Sequence, residues 1–205
     1  MAGDYEFTTD WFSAFSGVWG QILERYQPAL ALEIGSFEGR SACFMIERCG
    51  AKRDFELHCI DTWTGGTEHD ASAMAAVEAR FDANVGLACE RAPHAVRVEK
   101  DKTTSLAGLV ARLAQGRAGT FDLIYVDGSH QAPDVLADAV LAFQLLRVGG
   151  VLIFDDYLWA MEARGQEDFY NLPKPAIDAF VNIHQRKLTL HSASLYQLYM
   201  EKTAS

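Results

Sequence analysis

Acidic residues follow two apolar runs in the second half of the chain. Asp127 comes directly after residues 121–126 (FDLIYV), and Asp155 and Asp156 come directly after residues 151–154 (VLIF). If these runs are neighbouring parallel strands, the three carboxylates meet at one sheet edge and repel one another unless they are neutralised. A divalent cation such as Mg²⁺ takes oxygen ligands and can also accept substrate oxygens. The pattern therefore predicts a metal site formed by Asp127, Asp155 and Asp156.

A metal-free site is the alternative. Asp127 followed by Gly128 is also typical of a turn, and Asp155 or Asp156 is also typical of a helix N-cap. His130 lies three residues after Asp127, and imidazole is well suited to removing a proton from a hydroxyl near neutral pH. We predict that His130 is a catalytic base next to Asp127; a further metal ligand or a structural histidine are the other interpretations.

A glycine-containing segment, residues 33–41 (EIGSFEGRS), joins the first apolar run to a predicted helix. Gly35 can adopt backbone angles closed to other residues, and Gly39 lets the helix approach the strand. Such a turn opens a gap for a ligand at a helix N-terminus. Phe37 stands where a dinucleotide-binding loop has its second glycine, so its side chain would obstruct a pyrophosphate. The segment therefore favours a ligand without phosphates.

Two acidic residues complete this predicted pocket. Glu33 suits a ligand that carries an amino group, and Asp61, at the end of the second strand, suits the two hydroxyls of a ribose. A ribose, a cationic amine and no phosphate describe S-adenosylmethionine. The predicted cofactor-binding residues are Glu33, Gly35, Ser36, Phe37, Gly39, Ser41, Asp61, Thr62, Trp63 and Asp127.

Three motifs in combination resemble a known family. The pattern E-x-G-x-aromatic-x-G-x-S at 33–41, C-I-D-T-W at 59–63 and Y-V-D-G-S-H at 125–130 is similar to class I S-adenosylmethionine-dependent methyltransferases. The likeness is to the catechol O-methyltransferase-like branch and to bacterial small-molecule methyltransferases with a D-G-S-H motif, and it covers roughly residues 29 to 160.

The resemblance carries expectations for individual residues. It implies metal ligands at Asp127, Asp155 and Asp156, although the last position is usually Asn in the relatives, and a catalytic Lys stands in the relatives where this chain has His130. It also implies adenine contacts in the polar segment 99–105, with candidates Asp101, Lys102 and Thr103; a helix cap explains the same threonine without a ligand.

Alternating apolar and helical stretches indicate the elements that must position these residues. Strands are predicted at 29–34, 55–60, 95–98, 121–126 and 151–154, with helices at 39–49, 71–90, 104–115 and 133–147, the last closed by Gly149 and Gly150. This alternation predicts one α/β domain over residues 1–205: a Rossmann-like doubly wound sheet, mostly parallel, with helices on both faces. A helix at 176–184 and a hairpin of strands 186–191 and 195–201, turning at 191–194, should add an antiparallel C-terminal strand.

Two segments lie outside this rhythm. Residues 1–28 form a predicted N-terminal helical extension, whose helix at 10–27 has an aromatic face that includes Trp19. That face either packs on the core or serves as a homodimer contact or substrate lid. The connection 157–175 is long enough to be an active-site loop, and its Tyr157, Trp159, Phe169 and Tyr170 either wall an acceptor or pack internally.

Composition limits the class of partner. The 205 residues include 18 basic and 28 acidic side chains, for a formal charge of −10, which disfavours nucleic acid and anionic membranes as partners. We found no secretory signal and no apolar stretch of bilayer length, so a cytoplasmic protein is expected. The prediction is metal-assisted O-methylation of a hydroxyl on a small-molecule acceptor. Alternatives are a metal-free N- or O-methyltransferase and a non-catalytic domain that binds cofactor or dimerises.

Overall fold

Seven strands form one sheet in the computed structural model, which describes residues 4–65, 74 and 76–205. In chain order they are β1 (Leu30–Ile34), β2 (Phe55–Asp61), β3 (Val96–Lys102), β4 (Phe121–Val126), β5 (Leu146–Phe154), β6 (Leu188–Leu190) and β7 (Leu198–Lys202). Their order across the sheet is β3-β2-β1-β4-β5-β7-β6. Strands β1 to β5 are parallel, and β7 is antiparallel to both β5 and β6. The prediction of a mostly parallel, Rossmann-like sheet is confirmed, with the antiparallel strand β7 inserted between β5 and β6.

Helices cover both faces of the sheet. They are α1 (Ser16–Tyr26), α2 (Arg40–Gly50), α3 (Val77–Arg91), α4 (Ser105–Ala114), α5 (Ala132–Leu145) and α6 (Pro173–His184). Alternate strand residues point to opposite faces, so in β4 Tyr125 packs with α1, α2 and α3 while Ile124 packs with α4, α5 and α6. The result is two apolar layers separated by the sheet. Within the described residues, no helix is both long and apolar enough to cross a bilayer.

The glycine pair Gly149–Gly150 does not close a helix, contrary to the prediction. Helix α5 ends at Leu145, and both glycines lie within β5. A Cβ at Gly150 would stand 2.9 Å from the backbone oxygen of Asp122, so glycine is needed where β5 passes close to β4. The pairing register between these strands shifts at this point.

Strand β3 is longer than predicted. It continues to Lys102, where Lys102 pairs with Asp61 of β2, so most of the predicted polar loop 99–105 is strand. Continued pairing with β2 satisfies backbone groups that a loop would leave to water. The two C-terminal strands, in contrast, are shorter than predicted. Residues 191–197 connect β6 to β7. Most of the first six residues of the predicted helix 71–90 fall outside the described residues.

The aromatic face of α1 packs on the core. Trp19 is fully buried, and its ring meets the ring of Tyr125 edge-on, with centroids 4.8 Å apart. The side chain of Trp19 is therefore not available for contact with a second chain. Helix α1 begins at Ser16, and the preceding aromatic residues Trp11, Phe12 and Phe15 line a cavity instead.

Candidate active site

A cavity of about 1210 Å³ opens at the carboxyl ends of β1, β2, β4 and β5. Ligand sites in open parallel sheets lie at this edge, and the volume exceeds that of a typical single-ligand pocket, roughly 300–1,000 Å³. The predicted site residues that line it are Gly35, Ser36, Phe37, Ser41, Asp61, Thr62, Thr103, Asp127, His130, Asp155 and Asp156. The cofactor-type and acid-type residues thus share one cavity.

Gly35 sets the distance between the first loop and the end of β4. Its φ is +81°, and a Cβ there would stand 1.9 Å from the backbone oxygen of Asp127. Any side chain would therefore push the loop after β1 away from Asp127. Three residues other than glycine at the ends of β1, β2 and β5 also have positive φ, namely Phe37, Trp63 and Asp156, and such backbone conformations concentrate at functional sites.

Asp61 ties the first two loops together. Its Oδ2 accepts hydrogen bonds from the backbone N–H groups of Ser36 at 2.8 Å and Phe37 at 2.9 Å, and its Oδ1 accepts one from Trp63 at 2.6 Å. The indole of Trp63 in turn donates to the carbonyl of Phe37 at 2.9 Å. A carboxylate has about four lone-pair sites, so Asp61 holds the loops and keeps capacity for a ligand hydroxyl.

Glu33, Gly39 and Trp63 lie behind the cavity wall. Glu33 is fully buried and accepts a hydrogen bond from Ser41 Oγ at 2.6 Å; burial raises the pKa of Glu33 to about 7. Gly39, with φ +81°, is the N-cap of α2, and Trp63 packs on Phe81. These residues support the loop, while Ser41 also lines the cavity.

Asp101 and Lys102 do not line the cavity. Asp101 accepts a hydrogen bond from Arg112 at 2.8 Å, and Lys102 forms an ion pair with Glu78. Both lie in β3, and these two contacts engage their side chains. Thr103 does line it, together with Thr104, whose side chain caps α4 by accepting from the Ala107 N–H.

The acidic residues meet around the hydroxyl of Tyr125. This hydroxyl lies within hydrogen-bond reach of Asp127 Oδ2 at 3.0 Å and of Asp155 Oδ2, and it can donate to one of them at a time. Burial, followed by the charges of Asp155 and Asp156, raises the pKa of Asp127 well above its usual range. Burial and then Asp156 raise the pKa of Asp155 to about 6. The cluster is therefore an environment that protons or a cation would stabilise.

His130 is paired with the third acid. Its Nε2 lies 2.8 Å from Asp156 Oδ2, and its ring lies beside the ring of Trp159 with centroids 4.1 Å apart. Because the ionised carboxylate only accepts, this contact favours the tautomer with the proton on Nε2 and the lone pair on Nδ1. A carboxylate that orients a histidine is one part of the usual arrangement of a general base; the Nδ1 atom of His130 is itself buried.

The carboxylate oxygens of the three aspartates lie farther apart than the ligand atoms of a compact metal site. Among the described residues, one group of three or more potential ligands has all its ligand atoms within 4.8 Å, namely Glu56, His58 and Glu99. Glu56 and His58 of this group lie on β2, five and three residues before Asp61, which is roughly 10–16 Å along the strand. Arg112 donates to His58 Nδ1 and Arg117 donates to Glu56, so arginines already balance these acids.

The long connection 157–175 contributes one aromatic wall. Trp159 lines the cavity, whereas the hydroxyl of Tyr157 donates to Asp178 at 2.7 Å. Phe169 and Tyr170 are largely exposed and do not line it. Sequence reasoning missed Tyr196, which stacks on Phe15 and lines the same cavity.

Gln197 is a second residue that sequence reasoning missed. It is fully buried and donates from Nε2 to Asp155 Oδ2 at 2.7 Å. Nothing in the local sequence distinguishes this glutamine from an exposed one, because its partners lie far away in the chain.

Comparisons with known proteins agree with this geometry. The family model for a methyltransferase domain matches residues 32–157, more than half of the chain. A comparison with curated protein sequences found no match. Among solved structures, the O-methyltransferase TomG from Streptomyces achromogenes, involved in tomaymycin synthesis and solved with SAM, is 20% identical with a TM-score of 0.62, and the match covers 98% of this chain and 83% of that one.

Two other solved structures are similarly related in fold. An O-methyltransferase from Bacillus cereus in complex with SAH is 16% identical, with a TM-score of 0.60 and coverage of 98% and 84%. The MycE methyltransferase of the mycinamycin biosynthetic pathway, solved with Mg and SAH, is 16% identical with a TM-score of 0.59, and the match covers 96% of this chain and 51% of MycE. The chain belongs to the methyltransferase-domain family and is a class I S-adenosylmethionine-dependent methyltransferase.

Proposed function

We propose that this protein methylates a hydroxyl group on a small-molecule acceptor, with His130 as the general base. The observation that carries the proposal is the pairing of His130 with Asp156 in the same cavity as Asp61 and the Gly35 loop. The cavity has room for a cofactor and an acceptor side by side. TomG and the Bacillus cereus protein are both O-methyltransferases, which supports oxygen as the accepting atom.

The cofactor would lie across the loops after β1 and β2. The free capacity of the Asp61 carboxylate suits the ribose hydroxyls, and Gly35 and Ser36 line the cavity beside it. S-adenosylmethionine supplies a methyl group on a sulfonium, an electrophile that needs an acceptor with a free lone pair. Phe37, in a left-handed conformation, lines the cavity, and its side chain would obstruct a pyrophosphate at this loop.

The acceptor would lie between the acids and the aromatic wall. His130 takes up the hydroxyl proton, and Asp156 stabilises the imidazolium that forms. Trp159, Tyr196 and Phe15 offer flat apolar surfaces to the remainder of the acceptor. Together these residues orient the oxygen and raise its nucleophilicity.

We further propose that a divalent cation assists, held by Asp127, Asp155 and Asp156. The donor set fits in kind, because it is composed of carboxylate oxygens; burial, followed by the charges of the neighbouring aspartates, raises the pKa values of Asp127 and Asp155. A bound cation would lower the pKa of the acceptor hydroxyl. Among the similar folds, MycE was solved with Mg. Binding requires Tyr125 to release one acid, since its hydroxyl now lies between Asp127 and Asp155.

A metal-free O-methyltransferase is the second candidate. It is favoured by the His130–Asp156 contact, which already engages one of the three acids, and by the wider spacing of the aspartates. The two candidates differ in their response to chelation.

The test is release of S-adenosylhomocysteine from S-adenosylmethionine across a panel of hydroxyl-bearing acceptors, with EDTA or with Mg²⁺. Turnover that EDTA abolishes and Mg²⁺ restores supports the metal-assisted form, and turnover unchanged by EDTA supports the metal-free form. Turnover with amines but with no hydroxyl acceptor would contradict O-methylation.

A further inference from the structure

The buried side chain of Gln197 connects the N-terminal helix to the acidic cluster. Its Oε1 accepts hydrogen bonds from Trp19 Nε1 at 2.9 Å and from the hydroxyl of Tyr199. Its Nε2 donates to Asp155 Oδ2 at 2.7 Å. Trp19, Tyr199 and Gln197 are each no more than 1% exposed, so the connection is shielded from water.

The two donors fix which way the Gln197 amide points. Trp19 Nε1 is a donor only, and the Tyr199 hydroxyl donates to the same Gln197 Oε1. A flipped amide would direct its NH₂ group at both donors and its oxygen at an ionised carboxylate. That arrangement would lose a charge-assisted hydrogen bond and leave two buried donors unsatisfied. The N–H of Gln197 is thus held toward Asp155.

Asp155 is consequently the most firmly oriented of the three acids. Its Oδ2 receives Gln197 and Tyr125, and its Oδ1 accepts from the backbone N–H of Asp156 at 2.7 Å. Packing adds to this, because the Trp19 ring meets the Tyr125 ring edge-on. The same indole therefore supports both side-chain donors that reach Asp155.

We propose that Gln197, oriented by Trp19 and Tyr199, is a positioning residue that sets the Asp155 carboxylate for the divalent cation. The inference rests on the proposed metal-assisted function. Residues that orient metal ligands typically change metal affinity by about 10–100-fold when they are replaced. A purely structural role predicts lost stability with unchanged metal affinity, so the two roles are separable.

The experiment measures Mn²⁺ binding to the purified full chain by electron paramagnetic resonance of the free ion. Gln197→Met keeps the side-chain volume and removes the donor, and it should weaken the Kd for Mn²⁺ by about 10–100-fold. The Kd for S-adenosylhomocysteine should stay within about threefold, because Gln197 does not line the cavity. Tyr199→Phe leaves Trp19 in place and should weaken Mn²⁺ binding by a smaller factor.

Asn84 provides a matched control. It is another buried amide, bonded to the backbone of Glu6 and Glu38 and not to any of the three aspartates. Asn84→Leu should lower the melting temperature and leave the Kd for Mn²⁺ unchanged. If Gln197→Met does not fold, the double variant Trp19→Phe/Tyr199→Phe, which releases the amide, should show the loss of Mn²⁺ affinity.

The outcomes separate this inference from the function on which it rests. Folded variants that bind Mn²⁺ as tightly as the wild type overturn the positioning role alone. A wild-type protein that binds no Mn²⁺ overturns the metal-assisted function and this inference together, and leaves the role of His130 untouched.

Discussion

Replacing Asp61 by asparagine should uncouple the loops that form the cofactor half of the cavity. Asp61 accepts three backbone N–H groups, from Ser36, Phe37 and Trp63. The asparagine side chain in the variant keeps one acceptor oxygen, so it can retain the pair from Ser36 and Phe37 while its NH₂ group faces the N–H of Trp63. All three bonds lose their ionic character.

The magnitude follows from these three contacts. A hydrogen bond to a charged group contributes about 1.5–3 kcal/mol and a neutral one about 0.5–1.5 kcal/mol, while a buried donor left unsatisfied costs about 1–3 kcal/mol. Two weakened bonds at about 1 kcal/mol each and one unsatisfied donor at about 1 kcal/mol give a destabilisation of at least roughly 3 kcal/mol. For a chain of this size, this corresponds to a fall in melting temperature of about 6–12 °C. Affinity for S-adenosylhomocysteine should fall by a further 10–100-fold, roughly 1.4–2.8 kcal/mol, because the ribose loses its acceptor.

Asp122 offers the matched control. It also accepts two backbone N–H groups with one oxygen, from Ala29 and Leu30, but at the opposite end of the sheet. Asp122→Asn should lower the melting temperature and leave cofactor affinity unchanged. Thermal unfolding and titration calorimetry with S-adenosylhomocysteine measure both quantities. Equal cofactor affinity in Asp61→Asn and the wild type would refute the placement of the ribose at Asp61.

The same structure leads to three further expectations. His130→Gln should lower kcat by roughly 10²–10⁴-fold in the S-adenosylhomocysteine release assay with little change in cofactor Kd, whereas His184→Gln, in α6, should change neither; full activity in His130→Gln would exclude the base. Gly35→Ala should reduce cofactor affinity at least about 100-fold in calorimetry, because its Cβ would stand 1.9 Å from the Asp127 carbonyl; Gly86→Ala, where a Cβ meets nothing within 4 Å, should leave the affinity intact, and equal binding by both would disprove the close approach. Burial raises the pKa of Asp138 to about 7 in the folded protein, whereas the pKa in the unfolded chain is near 4. Between these two values the folded state binds one more proton than the unfolded state, so the stability of the wild type falls as the pH rises through that window. The unfolding free energy of Asp138→Asn relative to the wild type, measured by urea unfolding, should therefore increase by roughly 1–3 kcal/mol from pH 5 to pH 8; a constant difference would mean that Asp138 does not titrate there.

Local pattern is enough to predict the sheet and the edge at which the site lies. Residues 121–126 and 151–154 are short apolar runs followed by acids, and parallel strands must bring such acids to one side. The same logic places Asp61 beside the Gly35 loop. Local pattern gives the wrong prediction at Gly149 and Gly150. Glycine is required there because β5 passes close to Asp122, and the residues around the glycines do not show this contact.

Contacts between distant segments cannot be predicted in this way. The aromatic pattern of the N-terminal helix is compatible with a core position or a homodimer contact, and burial of Trp19 against Tyr125 decides between them for that side chain. The pairing of His130 with Asp156 and the bond from Gln197 to Asp155 depend on how the segments around β4, β5 and β7 assemble. Asp101 lies in a strand and not in the predicted loop, because the sequence does not show that β3 continues past Glu99.

Calorimetric titration of the purified protein with S-adenosylhomocysteine, and separately with NAD⁺, tests the central claim most directly. A pocket built from the Gly35 loop and Asp61, with Phe37 in the position that a pyrophosphate needs, should bind S-adenosylhomocysteine at one site per chain and give no heat with NAD⁺. Saturation by NAD⁺ in a protein that ignores S-adenosylhomocysteine would contradict the assignment of this cavity.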